Sequence, residues 1–303
     1  MANTREIQSR MKSIQDTMKI TNAMYMISSS KMQKAKRILS DTEPYYYNMQ
    51  AAISRILRHM PDTEHPFFSE EGKGDISVFV KHYQENEKAS GGKGMMCMPS
   101  GNHDMIRISK QLDTRQMKLA YAFIYALPGA PFLYYGDEIG MRYVEDLVSV
   151  EGGYERTGSR SPMQWDKSTN AGFSSAPAEA LYIPLDPGDD RPDVASQMEE
   201  TDSLYNTVKK LISVRQAHSA LQGDGKIEFL YAGDHTYPLV FERSSAEEKV
   251  LVIINPSGKE QECQVPCEGS WEVIYSCGGL PVMESGKVKA AAVSACWMKK
   301  TLI

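Results

Sequence analysis

The chain has 303 residues, 41% of them apolar and 24% charged, which is ordinary for a soluble globular protein and allows about two domains. The net charge of −5 hides an asymmetry, because residues 1–40 carry eight Lys/Arg against Glu6 and Asp16, whereas residues 75–303 carry 23 against 31. The basic front lacks interleaved aromatics, so no nucleic acid is expected, and without an apolar leader or any stretch near the ~20 apolar residues of a membrane span the chain is expected to be cytoplasmic.

Asn3 followed by Glu6 forms a capping box, so a helix is expected to start near Thr4. From there Ile7, Met11, Ile14, Met18, Thr21, Tyr25, Ser28, Met32, Ala35 and Leu39 step by four and three, a heptad seam that predicts a long coiled-coil-type helix. Ile20, Met24 and Ile27 widen the apolar face, and Ser28 to Ser30 suit close approach of a neighbour.

A Gly- and charge-rich stretch, Glu71 to Asp75, separates this segment from a different pattern. Met95 to Ser100 predicts a short buried strand. Thr114 to Leu127 predicts a helix capped by Asp113 and stopped by Pro128 and Gly129, and Pro131 to Tyr135 a second buried strand. Leu204, Val208, Leu211 and Ile212 share one face of a helix ending before Gly223, and from Lys226 onward apolar runs alternate with turns at short intervals. Strand and helix alternation followed by strands alone predicts a mixed α/β chain, with a fragment of a parallel barrel ahead of an antiparallel β-sandwich.

Candidate chemistry sits at the ends of the two buried strands, where parallel α/β folds build their sites. Asn102, His103 and Asp104 follow the first. Such a trio can serve as a strand-end cap with a satisfied histidine, or it can bind vicinal hydroxyls and stabilise positive charge at a reacting carbon. Asp137 and Glu138 follow the second; adjacent in a strand they would face opposite ways, so capping and turn formation are expected of them. The GGKG run at 91–94 lacks P-loop spacing and reads as a turn. Cys97, Cys263, Cys267, Cys277 and Cys296 form an odd set without metal spacing, so reduced thiols, no metal and no cofactor are expected.

Two family resemblances sharpen these expectations. Residues 1–72, through TREI and MKSIQDTMKITNAM, closely resemble the N-terminal helix of the rotary ATP synthase gamma subunit, which implies a shaft helix with ATP synthase α and β subunits as partners. That family's middle domain and C-terminal helix have no counterpart here, since the chain ends in SACWMKKTLI. Residues 75–303, through SGNHDMIR, GAPFLYYGDEIGM and RSPMQWD, resemble the closing portion of the α-amylase family, glycoside hydrolase family 13, on its α-glucosidase and trehalose synthase branch. This implies α-glucoside oligosaccharides as ligands, Asp104 as transition-state stabiliser, His103 beside it contacting glucosyl hydroxyls with Asn102 also substrate-binding, Arg107 near the same subsite, and Trp165 on a loop rimming the site, where its indole face could stack on sugar. Ser161 stands where threonine is commoner, and Gly136 to Glu138 match a structural motif at the eighth strand.

Retaining glycosidases need a nucleophilic carboxylate and an acid/base about 5 Å apart. In this family the nucleophile lies upstream in a GxRxD pattern, which is absent before Asn102. The resemblances imply a hybrid chain: residues 1–72 gamma-like, 75–222 the last two strands and helices of an incomplete (β/α)8 barrel, and 223–303 a sandwich. No hydrolysis is expected of it. The alternatives are a rotor-type interaction protein and a carbohydrate-binding remnant. The front helix is expected to project, and the sandwich to survive proteolysis alone.

Overall fold

Only part of the segment expected to form a long front helix lies among the described residues. The structure, a computed structural model, describes residues 10–37 apart from 13, 20, 23, 27 and 35, and residues 75–301 apart from 151, 154–156, 234, 235 and 267. The capping box, Ile7, Ile20, Ile27, Ala35, Leu39 and Cys267 lie outside the described residues. The chain divides into two compact units, Met1–Arg55 and Ile56–Ile303. In the first, every described position of 10–37 is α-helical. Met11, Ile14, Met18, Tyr25 and Met32 stand 56% to 73% exposed, so among the described residues the heptad stripe is not the buried seam that a coiled coil requires.

The first described element of the second unit is a helix that was not read from the sequence, α1 (Ile76–Ser90). The Asp75 carboxylate accepts from the Ser77 amide at 3.0 Å, satisfying an orphan donor of the first turn, and Gly91, in the left-handed region, ends the helix. It buries Ile76, Val80 and Tyr83 at helical spacing. Next, β1 (Cys97–Pro99) pairs in parallel with β2 (Ala130–Phe132) in a two-stranded sheet. Both strands are shorter than predicted, because the chain leaves β2 after Phe132 and closes into a 3-10 turn at Asp137–Ile139. Between them α2 (Thr114–Ala126) has a complete capping box: the Asp113 carboxylate accepts from Gln116 N at 2.8 Å, and Asp113 N donates to Gln116 Oε1 at 3.0 Å. Leu127, extended before Pro128, stops it. A short hairpin, β3 (Val148–Ser149) and β4 (Gly152–Gly153), precedes α3 (Val194–Glu199) and α4 (Leu204–Ala217).

The remaining strands are β5 (Lys226–Tyr231), β6 (Leu239–Ser244), β7 (Lys249–Asn255), β8 (Gln261–Gln264), β9 (Trp271–Cys277), β10 (Val282–Glu284), β11 (Lys287–Ala290) and β12 (Ser294–Lys300). They form an antiparallel five-stranded sheet, ordered β5-β6-β7-β12-β9, and a three-stranded sheet, β10-β11-β8. Val240, Leu251, Ile253, Cys296 and Met298 face Val265 and Val288 in the core between them.

The opposite face of the large sheet is buried as well. Phe241, Val250, Val252, Ile254 and Trp297 alternate with the first set and are all inaccessible. Here α2 packs on β7 and β12, α4 on β9, and Tyr83 of α1 lies 5.6 Å, centroid to centroid, from Phe229 of β5. Two buried arginines stitch the same seam. Arg215 donates to the carbonyls of Tyr125, Leu127 and Gly129 at 2.5 to 2.8 Å. Arg243 donates to Ala126, Gln222, Gly225 and Lys226. Burying each large side chain of this face contributes roughly 1.5–3 kcal/mol, so the sandwich depends on residues 75–222 to cover one face of its large sheet. The expectation that it survives alone is therefore revised: alternation in sequence showed one buried face, and the continuous burial of β7 shows two.

Among the described residues no helix is long and apolar enough to cross a membrane, and no group of three or more His, Cys, Asp or Glu is placed to hold a metal ion.

Candidate functional site

The chain turns sharply after β1, and side chains fix the turn. Asn102 Oδ1 accepts from the Asp104 amide at 2.7 Å, the short polar cap expected of an Asx turn. This holds Asp104 half-exposed. Its Oδ1 accepts from Arg160 Nη2 at 2.8 Å, and its Oδ2 lies 3.4 Å from His103 Nε2. Arg160 also donates from Nε to the His103 carbonyl at 3.0 Å, so one guanidinium fork grips both residues. The predicted trio is thus assembled, and Arg160, which was not singled out in the sequence, organises it. Its signal was the first letter of RSPMQWD.

Arg107 is placed differently from a sugar contact. It is 2% exposed, with Nη1 donating to the Tyr135 carbonyl at 2.8 Å and to Asp137 Oδ1 at 3.0 Å, and Nη2 to the Ser159 carbonyl at 3.0 Å. The guanidinium lies 5.0 and 5.1 Å from the ring centroids of Tyr134 and Tyr135. Asp137 completes the network by accepting from Ser100 Oγ at 2.7 Å. Burial pushes the Asp137 carboxyl above its usual range, while Arg107 and Ser100 pull against that. This buried pair ties the end of β1 to the turn after β2 and so positions Asp104 indirectly. Gly136 is required in that turn: its φ is +81°, and a Cβ there would fall 2.2 Å from Met141 Sδ.

Trp165 lines a cavity of about 370 Å³ together with Arg160, the residue that grips Asp104. Tyr135, Phe173 and Tyr182 share the wall and, like Trp165, are 39% to 53% exposed. Glu138 reaches the same cavity. Its Oε2 is buried without a hydrogen-bond partner among the described residues, and burial pushes its carboxyl up. Asp137 and Glu138 therefore do face different surroundings, through a 3-10 turn rather than strand alternation. The three further aromatics and Glu138's place in the cavity were missed, because single aromatics in loops carry no periodicity. Chemically, the arrangement offers aromatic faces for an apolar ring surface, a cation, and carboxylates that accept from hydroxyls.

The chain belongs to the alpha-amylase family: the profile described as alpha amylase, catalytic domain, matches residues 4–224. It is similar to maltase A2 of Drosophila melanogaster, 29% identical over 162 residues, 53% of this chain and 28% of that protein. It is also similar to the trehalose synthase of Thermus thermophilus, 33% identical over 162 residues, 52% of this chain and 16% of that one. Among solved structures, the alpha-amylase from H.orenii superposes with a TM-score of 0.59 at 26% identity, covering 77% of this chain and 46% of that chain. The chain thus spans less than half the length of each of these relatives. The family match starts at residue 4, not 75, so nothing in it sets residues 4–72 apart as an ATP synthase segment.

Proposed function

We propose that the chain binds α-glucoside oligosaccharides in the cavity beside Asp104 and, as a 303-residue chain, does not hydrolyse them. The observation that carries this reading is the shared lining of the cavity: Arg160 grips Asp104 and stands in the same wall as Trp165, Tyr135, Phe173 and Tyr182. A pyranose has apolar faces and an equator of hydroxyls, which suits stacked aromatics with carboxylate acceptors at the edge. Asp104 would stabilise charge at the anomeric carbon, with His103 and Asn102 beside it. Arg107 keeps that turn in place. The absence of chemistry follows from the missing GxRxD nucleophile, because the groups of such a site act as a unit. The partial barrel ending near 222, the sandwich beyond it and a cytoplasmic setting belong to the same reading. Calorimetric titration with maltotriose tests it: saturable binding is expected, weakened about tenfold by Trp165→Ala. Binding that this substitution leaves unchanged would place the sugar elsewhere.

A second reading concerns residues 1–72, as a gamma-like helix seeking ATP synthase α and β subunits. It is favoured by the exposed stripe Met11, Ile14, Met18, Tyr25 and Met32. Co-purification of the full chain with those subunits, lost on Met18→Glu, is its expected outcome; no association would end it.

A further inference from the structure

A second cavity, of about 660 Å³, opens between the lips of the two sheets and shares no lining residue with the first. Trp271 and Met298 of the large sheet and Met283 of the small one supply an apolar wall, graded from buried Met298 to half-buried Trp271 and Met283. Gln264, Glu268 and Glu284 are exposed along its rim. Lys300 Nζ lies 5.7 Å from the Trp271 ring centroid, and the indole Nε1 is buried with no hydrogen-bond partner among the described residues. A buried indole donor without an acceptor is uncommon, because leaving it unmade costs about 1–3 kcal/mol.

We infer that this cavity is a second binding site, for a neutral pyranose oligosaccharide, in which Trp271, Met283 and Met298 meet the apolar ring faces and Gln264, Glu268 and Glu284 hydrogen-bond the hydroxyls. The volume falls within the range of small-ligand sites, and the grading from apolar wall to polar rim matches an amphipathic ring better than a purely apolar guest. Two rim carboxylates disfavour an anion. The site goes beyond the proposed function and needs no residue of the Asp104 cavity, so the two fail separately.

The test uses the full chain carrying Trp165→Ala, which cripples the first cavity, with maltotriose as the probe and indole emission as one readout. The chain has three tryptophans, and the third, Trp297, is wholly buried, so a sugar-induced change in this background reports Trp271. Saturable binding is expected, reduced about tenfold by adding Trp271→Ala and about threefold by adding Gln264→Ala. Gln264 is exposed, so that variant keeps the test valid if Trp271→Ala fails to fold. The proposal is overturned if the Trp165→Ala chain shows no binding up to about 50 mM maltotriose. It is overturned too if Trp271→Ala folds and leaves affinity unchanged, or if tetramethylammonium saturates the site where maltotriose does not, since that would make it a cation site.

Discussion

Replacing Arg243 by methionine removes a side chain that links the end of α2, the turn at Gln222 to Gly225 and the first residue of β5. Its guanidinium is wholly buried and donates to four backbone carbonyls, with 2.7 Å to Gln222 and 3.2 Å to Gly225 and Lys226. Burial and the neighbouring Arg215 push its pKa down to about 9, so part of the loss is returned when the charge is no longer desolvated. Four carbonyls left without a donor cost about 1 kcal/mol or more each, and after that return a net loss of about 3 kcal/mol is expected. For a unit of this size that lowers Tm by roughly 6–12 °C. Calorimetry on the full chain is the assay, and the second unit is expected to melt in a single transition. A shift within about 2 °C, or two separate transitions, would show that the sandwich and residues 75–222 are independent, against the packing of α1, α2 and α4 on the large sheet.

Three further outcomes follow from named contacts. Arg107→Met leaves Asp137 buried without its partner and is expected to destabilise the chain by about 3–5 kcal/mol in urea unfolding; a change in sugar affinity with stability intact would place Arg107 at the ligand instead. Arg160→Ala breaks a half-exposed pair, so Tm is expected to hold within about 2 °C while maltotriose affinity falls about tenfold; the reverse pattern would make Arg160 a structural brace. Burial works against the charge of Glu248, but His218, the Ala220 amide and Lys299 bring its carboxyl down to about 2. Its folded pKa lies below the unfolded value, so its stabilisation is complete above about pH 4.5 and is lost as pH falls toward 2. Glu248→Gln is expected to remove about 2 kcal/mol at pH 7 and to flatten this acid limb; an unchanged acid profile would contradict the assignment.

How far the sequence could be read depends on the range of the forces involved. The capping box at Asp113 and the stop at Pro128 are local, and α2 ended within a residue of its predicted limit. The helix α1 was legible in the same way, through Asp75, the Ile76, Val80, Tyr83 stripe and Gly91, and it was overlooked beside a polar composition. The grouping of Asn102, His103 and Asp104 was legible because the turn after β1 is made by those residues themselves. Arg107 and Arg160 were harder to tell apart. Both are arginines near the motif, and only tertiary distances show that Arg107 is sealed against Asp137 while Arg160 reaches the cavity. Nor does alternation reveal which neighbour covers a strand's second face, which is why β7 was read as half of a free-standing sandwich. The heptad stripe shows the opposite limit: periodicity marks an apolar face but names no partner for it.

Binding without chemistry at the Asp104 cavity is most directly tested by incubating the purified full chain with an aryl α-glucoside and maltotriose and following released phenol and glucose beside calorimetric binding. The account predicts saturable maltotriose binding with no release above the uncatalysed background, and the same null for Asp104→Ala. Release that is abolished by Asp104→Ala would contradict it, by showing that this chain assembles its own nucleophile and acid.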